Sequence, residues 1–388
     1  MSQLYLDWNA TAPLREAARA AVLQHLKDLP GNAGSVHASG HGARMTIEKA
    51  RAAVADFIAS PPRDIVFTAG GTEANNLAIY GAAAAAPDKA RRIVTSAFEH
   101  PSVLRVAEDL ERRGFQVVRI APDAEGRVDE EAVLDAAVPG RTALVSLMLA
   151  NNEIGTIQPV AAVARELRAR GVPCHTDAVQ AAGRLPIDVA ALGVDLLSIA
   201  AHKIGGFPGA GALFVREGLP WMPLLQGGGQ ESNRRPGTEN VPAIAAFGAA
   251  ASDARAALPE EIARMRARRE QLEAGIADRD LEAQVNGAKA PRLPNTSSLF
   301  FPGLSAEALV IALDLDGIAV SAGSACSAGT LRHSPSLLAM GRSAAAAASV
   351  RVSLGPATSE GEVDEFLDRL EPIVRRMRAM SRQAASVS

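Results

Sequence analysis

A lysine and an aspartate stand where two apolar segments end, and both could hold a heteroaromatic group. His202-Lys203 follows the apolar run 195–199, and Asp177 follows the run 172–176. Desolvation at the end of a buried strand disfavours the charged form of a lysine, which makes Lys203 a candidate Schiff-base amine. A carboxylate at Asp177 could keep a pyridinium nitrogen protonated, so that the ring acts as an electron sink. The alternatives are a solvated loop lysine and an aspartate that caps a helix.

A glycine-rich segment after another apolar run has the features of a phosphate site. Gly70-Gly71-Thr72 follows residues 65–68 and opens a helical pattern. The glycines allow close backbone approach, and the helix N-terminus together with the Thr72 hydroxyl supplies hydrogen-bond donors. The segment lacks the Gly-Lys-Ser/Thr of a Walker loop and the Gly-x-Gly-x-x-Gly of a dinucleotide site. A simple capped turn is the alternative.

Two more polar segments come directly after apolar runs. His100 follows the run 93–96 and could stack on a planar ring and move protons, or could cap or pack against a helix. Asn152 follows the run 143–149, and its amide suits an oxygen-rich ligand or a polar turn.

The chain has two cysteines, and their surroundings differ. Cys326 lies in a run of small residues, 321–330, which has little to pack. That composition favours an accessible thiol and makes Cys326 a candidate nucleophile, with an incidental loop cysteine as the alternative. Cys174 lies within an apolar strand pattern, so we expect it to be buried. Two cysteines exclude a disulfide scaffold, and the seven histidines show no metal-ligand spacing.

The elements that must position these residues alternate between strands and helices. Strand-length apolar runs are predicted at 65–68, 93–96, 117–120, 143–149, 172–176, 196–199 and 212–215, with amphipathic helices between several of them. This alternation predicts a mostly parallel sheet covered by helices on both faces. Ligands of such sheets bind at the carboxyl ends of the strands, where the candidate residues lie. Farther along, helices are predicted at 241–257 and 260–277, followed by a smaller α+β domain with strands at 297–301, 318–321 and 350–354.

Length and charge limit the classes of function. The chain has 388 residues, enough for two or three domains, and a formal net charge of −3. A near-neutral balance argues against direct nucleic-acid binding. No segment is apolar for the roughly 18 residues of a membrane span, and we interpret the N-terminus as lacking a signal peptide. We therefore expect a cytoplasmic protein without membrane partners.

Taken together, the order and spacing of these segments resemble the fold-type I enzymes that depend on pyridoxal 5′-phosphate (PLP). More closely, the chain resembles cysteine desulfurases of the NifS/IscS (group I) type, within the class V aminotransferases. The segments that carry the resemblance are Tyr5-Leu6-Asp7, Asn9-Ala10-Thr11, Gly70-Gly71-Thr72-Glu73-Ala74-Asn75-Asn76, Glu99-His100, Asn151-Asn152-Glu153-Ile154-Gly155, His175-Thr176-Asp177-Ala178-Val179-Gln180, Ala201-His202-Lys203, Arg235-Pro236-Gly237-Thr238, Ser321-Ala322-Gly323-Ser324-Ala325-Cys326 and Arg351-Val352-Ser353-Leu354-Gly355.

The resemblance implies a fold and a cofactor site. It implies a large PLP-binding domain with a seven-stranded, mostly parallel sheet over residues 15–255. A smaller α+β domain would consist of residues 1–14 and 256–388 and carry the Cys326 segment. Lys203 would form the Schiff base with PLP, Asp177 would pair with the pyridinium nitrogen, and Gln180 would bond the phenolic oxygen. His100 would stack on the ring, and the phosphate would be held by Gly71, Thr72 and His202. Asn152 would be a further PLP contact. Thr238 would reach the phosphate of the neighbouring subunit, which implies a homodimer.

The resemblance also implies a reaction. Lys203 would remove the Cα proton, and His100 would assist proton transfer. Asn152 and Arg351 would hold the carboxylate of L-cysteine, Arg351 through a bidentate fork. Cys326 would attack the substrate sulfur, which gives L-alanine and a Cys326 persulfide for a sulfur-acceptor or iron–sulfur scaffold protein.

Two departures from the family pattern fall near the phosphate. Ala200 occupies a position where the family usually has a serine that donates to the phosphate, so we expect one hydrogen bond fewer and weaker PLP retention. Residues 206–209 read Gly-Phe-Pro-Gly where the family usually has Gly-Pro-Lys-Gly.

A selenocysteine lyase, an aminotransferase on the same scaffold and a PLP-binding protein without turnover remain alternatives. An aminotransferase would not need Cys326.

Overall fold

The computed structural model describes residues 3–27, 31–323 and 333–385. Its strands are β1 (Leu4–Tyr5), β2 (Ile65–Thr68), β3 (Arg92–Ser96), β4 (Gln116–Ile120), β5 (Thr142–Ser146), β6 (Cys174–Asp177), β7 (Leu196–Ala200), β8 (Gly211–Val215), β9 (Gln284–Val285), β10 (Thr296–Phe300), β11 (Ile318–Ala319) and β12 (Ser349–Ser353). Its helices are α1 (Glu16–Lys27), α2 (Ala38–Phe57), α3 (Gly71–Ala85), α4 (Pro101–Arg112), α5 (Glu130–Ala136), α6 (Val160–Ala169), α7 (Val189–Leu192), the single turn α8 (Gln230–Asn233), α9 (Val241–Asp278), α10 (Ala306–Leu315), α11 (Pro335–Ala339), α12 (Ser343–Ala348) and α13 (Glu360–Ala385).

A seven-stranded sheet forms the centre of the fold. Its strand order is β2-β8-β7-β6-β5-β3-β4. Strand β8 runs antiparallel to both of its neighbours, while the pairings from β7 to β4 are parallel. The prediction of a mostly parallel seven-stranded sheet is therefore confirmed. Strands β2 and β7 run in the same direction because both pair antiparallel with β8, so their carboxyl ends share one edge of the sheet.

The central strands are buried throughout because helices cover both faces of the sheet. Alternate residues of a strand point to opposite faces. In β2, Ile65 and Phe67 therefore pack into one core, together with α2 and α9, whereas Val66 packs into a second core with α3. Every residue of β2, β5, β6, β7 and β8 is buried. Cys174 in β6 is 1% exposed, which confirms its predicted burial.

A separate hydrophobic core lies in the smaller α+β part of the chain. Strands β12, β10 and β9 form an antiparallel sheet, and β1 pairs with β11. Leu4 and Leu6 from the N-terminal segment pack in this core against residues of α10 and α13. The start of the N-terminal segment, residues 3–14, is thereby fixed to the smaller part. Later residues of the same segment contact the large sheet. The predicted domain boundaries remain a prediction.

One helix replaces the two helices predicted at 241–257 and 260–277. Helix α9 runs unbroken from Val241 to Asp278 with Pro259 inside it. A proline removes one backbone hydrogen bond and normally ends or kinks a helix, but contacts on both sides of Pro259 hold this one. Before the proline, a Cβ on Gly248 would lie only 2.6 Å from the Cα of Ala50, so the backbones of α9 and α2 are in direct contact. After the proline, Glu261 accepts a 2.6 Å hydrogen bond from Arg15.

The helices of this fold differ in length and apolar character, and a helix that crosses a membrane needs about 20 predominantly apolar residues. Within the described residues, none combines the length and the apolar character that a membrane crossing requires.

Candidate active site

A cavity of about 450 Å³ lies at the carboxyl ends of the strands of the large sheet. The predicted site residues that line it are Gly71, Thr72, His100, Asn152, Asp177, Gln180, His202, Lys203 and Arg351. Apart from Arg351, which lies in β12 of the smaller sheet, these residues end or follow strands of the large sheet, and the direction of those strands brings them to one edge. The cavity is therefore the candidate active site.

Lys203 is held by the N-terminal segment. After β7 the chain makes one tight turn, Ala201–Lys203, which ends the buried strand and presents the lysine. Its Nζ donates to the carbonyl oxygens of Asn9 (2.5 Å) and Ala10 (2.8 Å). These two backbone contacts fix the amine inside the cavity rather than in solvent, so the solvated loop lysine is not observed.

His202 is linked to the same N-terminal segment. Its Nδ1 lies 3.1 Å from the Thr11 hydroxyl. Burial, together with the nearby charges of Lys203 and Arg184, lowers the pKa of His202 to about 4. The imidazole is therefore neutral at pH 7, and a neutral ring can still donate one hydrogen bond to a phosphate.

Asp177 ends β6 and is 6% exposed. Its Oδ1 accepts from the backbone N–H of Val179 (2.9 Å), and its Oδ2 accepts from the amide of Asn75 (2.7 Å). His100 occupies the N-cap position of α4 and accepts from the backbone N–H of Ser102. The cavity therefore combines a buried carboxylate with an imidazole, the groups needed to hold and cover a protonated ring.

Arg351, on β12, is buried and already engaged by groups of the chain. Its Nη2 lies 2.6 Å from Asp7 Oδ1, and its Nη1 donates to the carbonyl oxygen of Asn152 (2.9 Å). Its Nε is buried with no hydrogen-bond partner among the described residues. A substrate carboxylate that takes the guanidinium fork must therefore compete with Asp7. No role had been predicted for Asp7.

The residues present fit PLP. Helix α3 begins at Gly71, and a Cβ there would lie 2.8 Å from Val179 Cγ2, so only glycine leaves the backbone of this cradle open. The first N–H groups of a helix bind phosphate well. Gln180 donates to the Asn9 carbonyl (3.1 Å), while its buried Oε1 has no partner in the described part of the chain. An amine, a carboxylate, an imidazole and a phosphate cradle are the groups that a phosphorylated pyridine aldehyde requires.

Of the two remaining predicted residues, the structure places one relative to this cavity and does not describe the other. Thr238 is exposed and lies outside it, and Cys326 falls outside the described residues. Conversely, Asn9, Ala10, Asn75 and Ser102 line the cavity without having been assigned a role. Asn9 and Ala10 contact Lys203 through backbone oxygens, which have no side-chain signature. Their place in the segment shared with the PLP family was the one available signal.

Glu99, next to His100, gives a prediction about stability. Its side chain is buried, accepts from the Ser96 hydroxyl (2.5 Å) and the Met148 N–H (2.9 Å), and burial raises its pKa to about 8. The folded protein therefore keeps a proton that the unfolded chain loses above its ordinary pKa, and the free energy of unfolding falls as pH rises towards 8. The side chain of Glu99→Gln cannot titrate. Between pH 5 and pH 8, we expect the free energy of unfolding of the wild type to fall by at least about 1 kcal/mol more than that of Glu99→Gln.

Urea unfolding at the two pH values measures this difference. The exposed Glu307→Gln variant is the control and should follow the wild type. Equal pH slopes for the wild type and Glu99→Gln would show that Glu99 is ionised in the folded protein.

Ala200 gives a second prediction. Ala200 is 1% exposed and lines the cavity. A Cβ built on Gly71 would lie 3.5 Å from the Ala200 Cβ, so the two residues are neighbours. A serine here would place a hydroxyl beside the start of α3. We expect Ala200→Ser to bind PLP about tenfold more tightly, the effect of one charge-assisted hydrogen bond of about 1.5 kcal/mol.

Titration of the cofactor-free protein with PLP measures this affinity. Ala201→Ser is the matched control, because the Ala201 Cβ lies 3.0 Å from the place of a Cβ on Gly206 and the residue does not line the cavity. Unchanged affinity in Ala200→Ser would contradict the expectation.

The fold and the cavity define a PLP-dependent enzyme of fold-type I. The family model described as "Aminotransferase class-V" matches residues 4–366, and the chain belongs to this family. When bound, PLP supplies an electron sink that stabilises negative charge at the substrate Cα.

Relatives and solved structures show which members of this family the chain is similar to. The chain is 44% identical over 384 residues to "Cysteine desulfurase" from Cereibacter sphaeroides, covering 98% of both proteins. It is 40% identical over 380 residues to "Cysteine desulfurase IscS" from Dictyoglomus turgidum, covering 98% of this chain and 96% of that protein. A solved "NifS-like protein" matches with a TM-score of 0.89 at 35% identity, covering 96% of this chain and 99% of that one. "SspA in complex with cysteine" matches with a TM-score of 0.80 at 31% identity, covering 92% and 99%.

Proposed function

We propose that the chain is a PLP-dependent cysteine desulfurase. L-cysteine and the Cys326 thiol would give L-alanine and a Cys326 persulfide, so the C–S bond of the substrate breaks and an S–S bond forms. The observation that carries the proposal is the placement of Lys203, Asp177, His100 and Arg351 around one cavity in a chain of this family. Relatives named cysteine desulfurase at 40–44% identity over nearly the whole chain support it.

The residues of the chain would divide the work. Lys203 Nζ would hold the cofactor, and then take the proton from the substrate Cα and return it during alanine formation. Asp177 would keep the proton on the pyridine nitrogen. His100 would cover the ring and assist proton transfer near the sulfur.

Arg351 and Asn152 would bind the carboxylate of the substrate. Arg351 is 3% exposed, so little water competes with a carboxylate for its guanidinium, and the contact is charge-assisted. The backbone carbonyl of Asn152 already accepts from Arg351, and Asn152 lines the same cavity, which supports a role for its side chain in binding the carboxylate. Displacement of Asp7 from Arg351 would accompany substrate binding.

The partners of the enzyme follow from the same proposal. Thr238 is exposed and does not line the cavity of its own chain, which is compatible with a contact to the phosphate in a second subunit of a homodimer. The sulfur of Cys326 would pass to an acceptor protein or an iron–sulfur scaffold protein. We expect this exchange to take place in the cytoplasm.

The direct test is incubation of the purified protein with L-cysteine and a reducing thiol, with alanine and sulfide measured together. A desulfurase gives alanine and sulfide in equal amounts. Formation of a keto acid from L-cysteine would favour an aminotransferase, and turnover of L-selenocysteine without turnover of L-cysteine would favour a selenocysteine lyase. No product from either amino acid, although PLP is bound, would favour a binding protein without turnover.

A further inference from the structure

A buried chain of hydrogen bonds connects Asp177 to His100. One hydrogen of the Asn75 amide is donated to Asp177 Oδ2 (2.7 Å), and the other to the Ser102 hydroxyl (2.8 Å). The Ser102 hydroxyl in turn lies 2.7 Å from His100 Nδ1. Asn75 is 1% exposed and Ser102 is 7% exposed, so water does not replace these contacts readily.

The directions of these hydrogen bonds follow from the groups involved. A carboxylate only accepts, so Asn75 must turn its NH2 group, and not its oxygen, towards Asp177. The same NH2 group donates to Ser102 Oγ, which leaves the serine hydrogen for His100 Nδ1. The backbone N–H of Ser102 also points at Nδ1, at 3.1 Å. Because two donors face Nδ1, this nitrogen is an acceptor and the proton of the neutral ring is on Nε2.

Asn75 is also costly to bury, which points to a specific role. It lies inside α3, among residues such as Ala74 and Leu77 that belong to a hydrophobic core. Its Oδ1 is buried and has no hydrogen-bond partner among the described residues. An amide with an unsatisfied oxygen destabilises a core relative to an apolar side chain of the same size. The two N–H groups therefore account for the presence of an asparagine here.

We propose that Asn75 and Ser102 are positioning residues that fix the tautomer of His100 and the orientation of Asp177 as one unit. The inference rests on the proposed function, in which Asp177 binds the pyridine nitrogen and His100 covers the ring. Asn75 acts on Asp177 directly and on His100 through Ser102. A change at Asn75 therefore alters a histidine that it does not touch.

Nitrogen NMR of the full chain labelled with ¹⁵N-histidine tests the connection, in both the cofactor-free and the PLP-loaded protein. The chain has seven histidines, and His100→Gln identifies the resonances of His100. We expect wild-type His100 to carry its proton on Nε2, with Nδ1 at a hydrogen-bonded imine position. Ser102→Ala and Asn75→Leu should both move Nδ1 towards the unbonded imine position, whereas Ser102→Thr, which keeps the hydroxyl, should restore it.

PLP affinity of the cofactor-free protein is the second readout. We expect Asn75→Leu to bind PLP about tenfold more weakly, because Asp177 loses a charge-assisted partner. Asn76→Leu is the matched control on the same helix; Asn76 Nδ2 bonds the backbone oxygens of Thr72 (2.8 Å) and Ser102 (3.4 Å) rather than Asp177.

The outcomes separate this inference from the proposed function. A proton on Nδ1 in wild-type His100, an unchanged Nδ1 resonance in Asn75→Leu, or equal losses of PLP affinity in Asn75→Leu and Asn76→Leu would overturn the inference. None of these measurements depends on turnover of L-cysteine. A protein that passes them but forms no alanine from L-cysteine would refute the proposed function and leave the positioning role intact.

Discussion

Lys203→Ala is expected to lower alanine formation from L-cysteine by roughly 10³-fold or more, because in the proposed function one side chain would serve both cofactor attachment and proton transfer. The Lys203 amine is fixed by the carbonyl oxygens of Asn9 and Ala10, at 2.5 Å and 2.8 Å. An amine held at a defined position in the cavity favours proton transfer, because less freedom has to be lost when the reacting groups come together.

Two measurements check this expectation. The steady-state rate of alanine formation gives the loss of activity, and the visible absorbance of bound PLP reports the lost covalent link. Lys89→Ala is the control, because Lys89 is exposed and lies away from the cavity; it should match the wild type in both. A Lys203→Ala protein that keeps a tenth of the activity or the wild-type absorbance would contradict the role of Lys203.

Most of the cavity could be predicted from the sequence because strand order and direction place it. Thr72, His100, Asn152 and Asp177 each follow an apolar run, and in a sheet whose strands run mostly parallel the residues after the strands meet at one edge. The rule needs no knowledge of side-chain contacts. It works here even for β2, which is parallel to β7 although the intervening β8 is antiparallel to both.

The remaining parts of the site depend on contacts between distant segments, which spacing does not encode. Arg351 lies on a strand of the smaller sheet, and its pairing with Asp7 requires the N-terminal segment to bridge both parts of the molecule. Asn75 is one polar residue within a helix, and its contact with Asp177 depends on how α3 packs on β6. The continuity of α9 through Pro259 likewise reflects packing that overrides a local signal.

Cys326→Ser is expected to abolish persulfide formation and to lower sulfide release by roughly 10³-fold or more, as when a covalent nucleophile is removed. A thiolate attacks sulfur readily, whereas a hydroxyl is far less acidic and stays protonated. The chain contains two cysteines. Cys174 is 1% exposed in β6, and burial raises the pKa of its thiol far above the ordinary value, so it remains a protonated, shielded thiol. If a thiol of the chain takes the substrate sulfur, that thiol must be Cys326.

Cys174→Ala is therefore the matched control, since alanine suits a buried position and leaves Cys326 in place. It should form the persulfide at the wild-type rate, and mass spectrometry of the peptide that contains Cys326 should show the added sulfur after incubation with L-cysteine. Sulfide release that is unchanged in Cys326→Ser would mean that the substrate sulfur leaves directly to solvent or to the added thiol. Loss of the persulfide in Cys174→Ala, with the fold intact by circular dichroism, would instead assign the sulfur to the buried strand and refute the division of roles between the two cysteines.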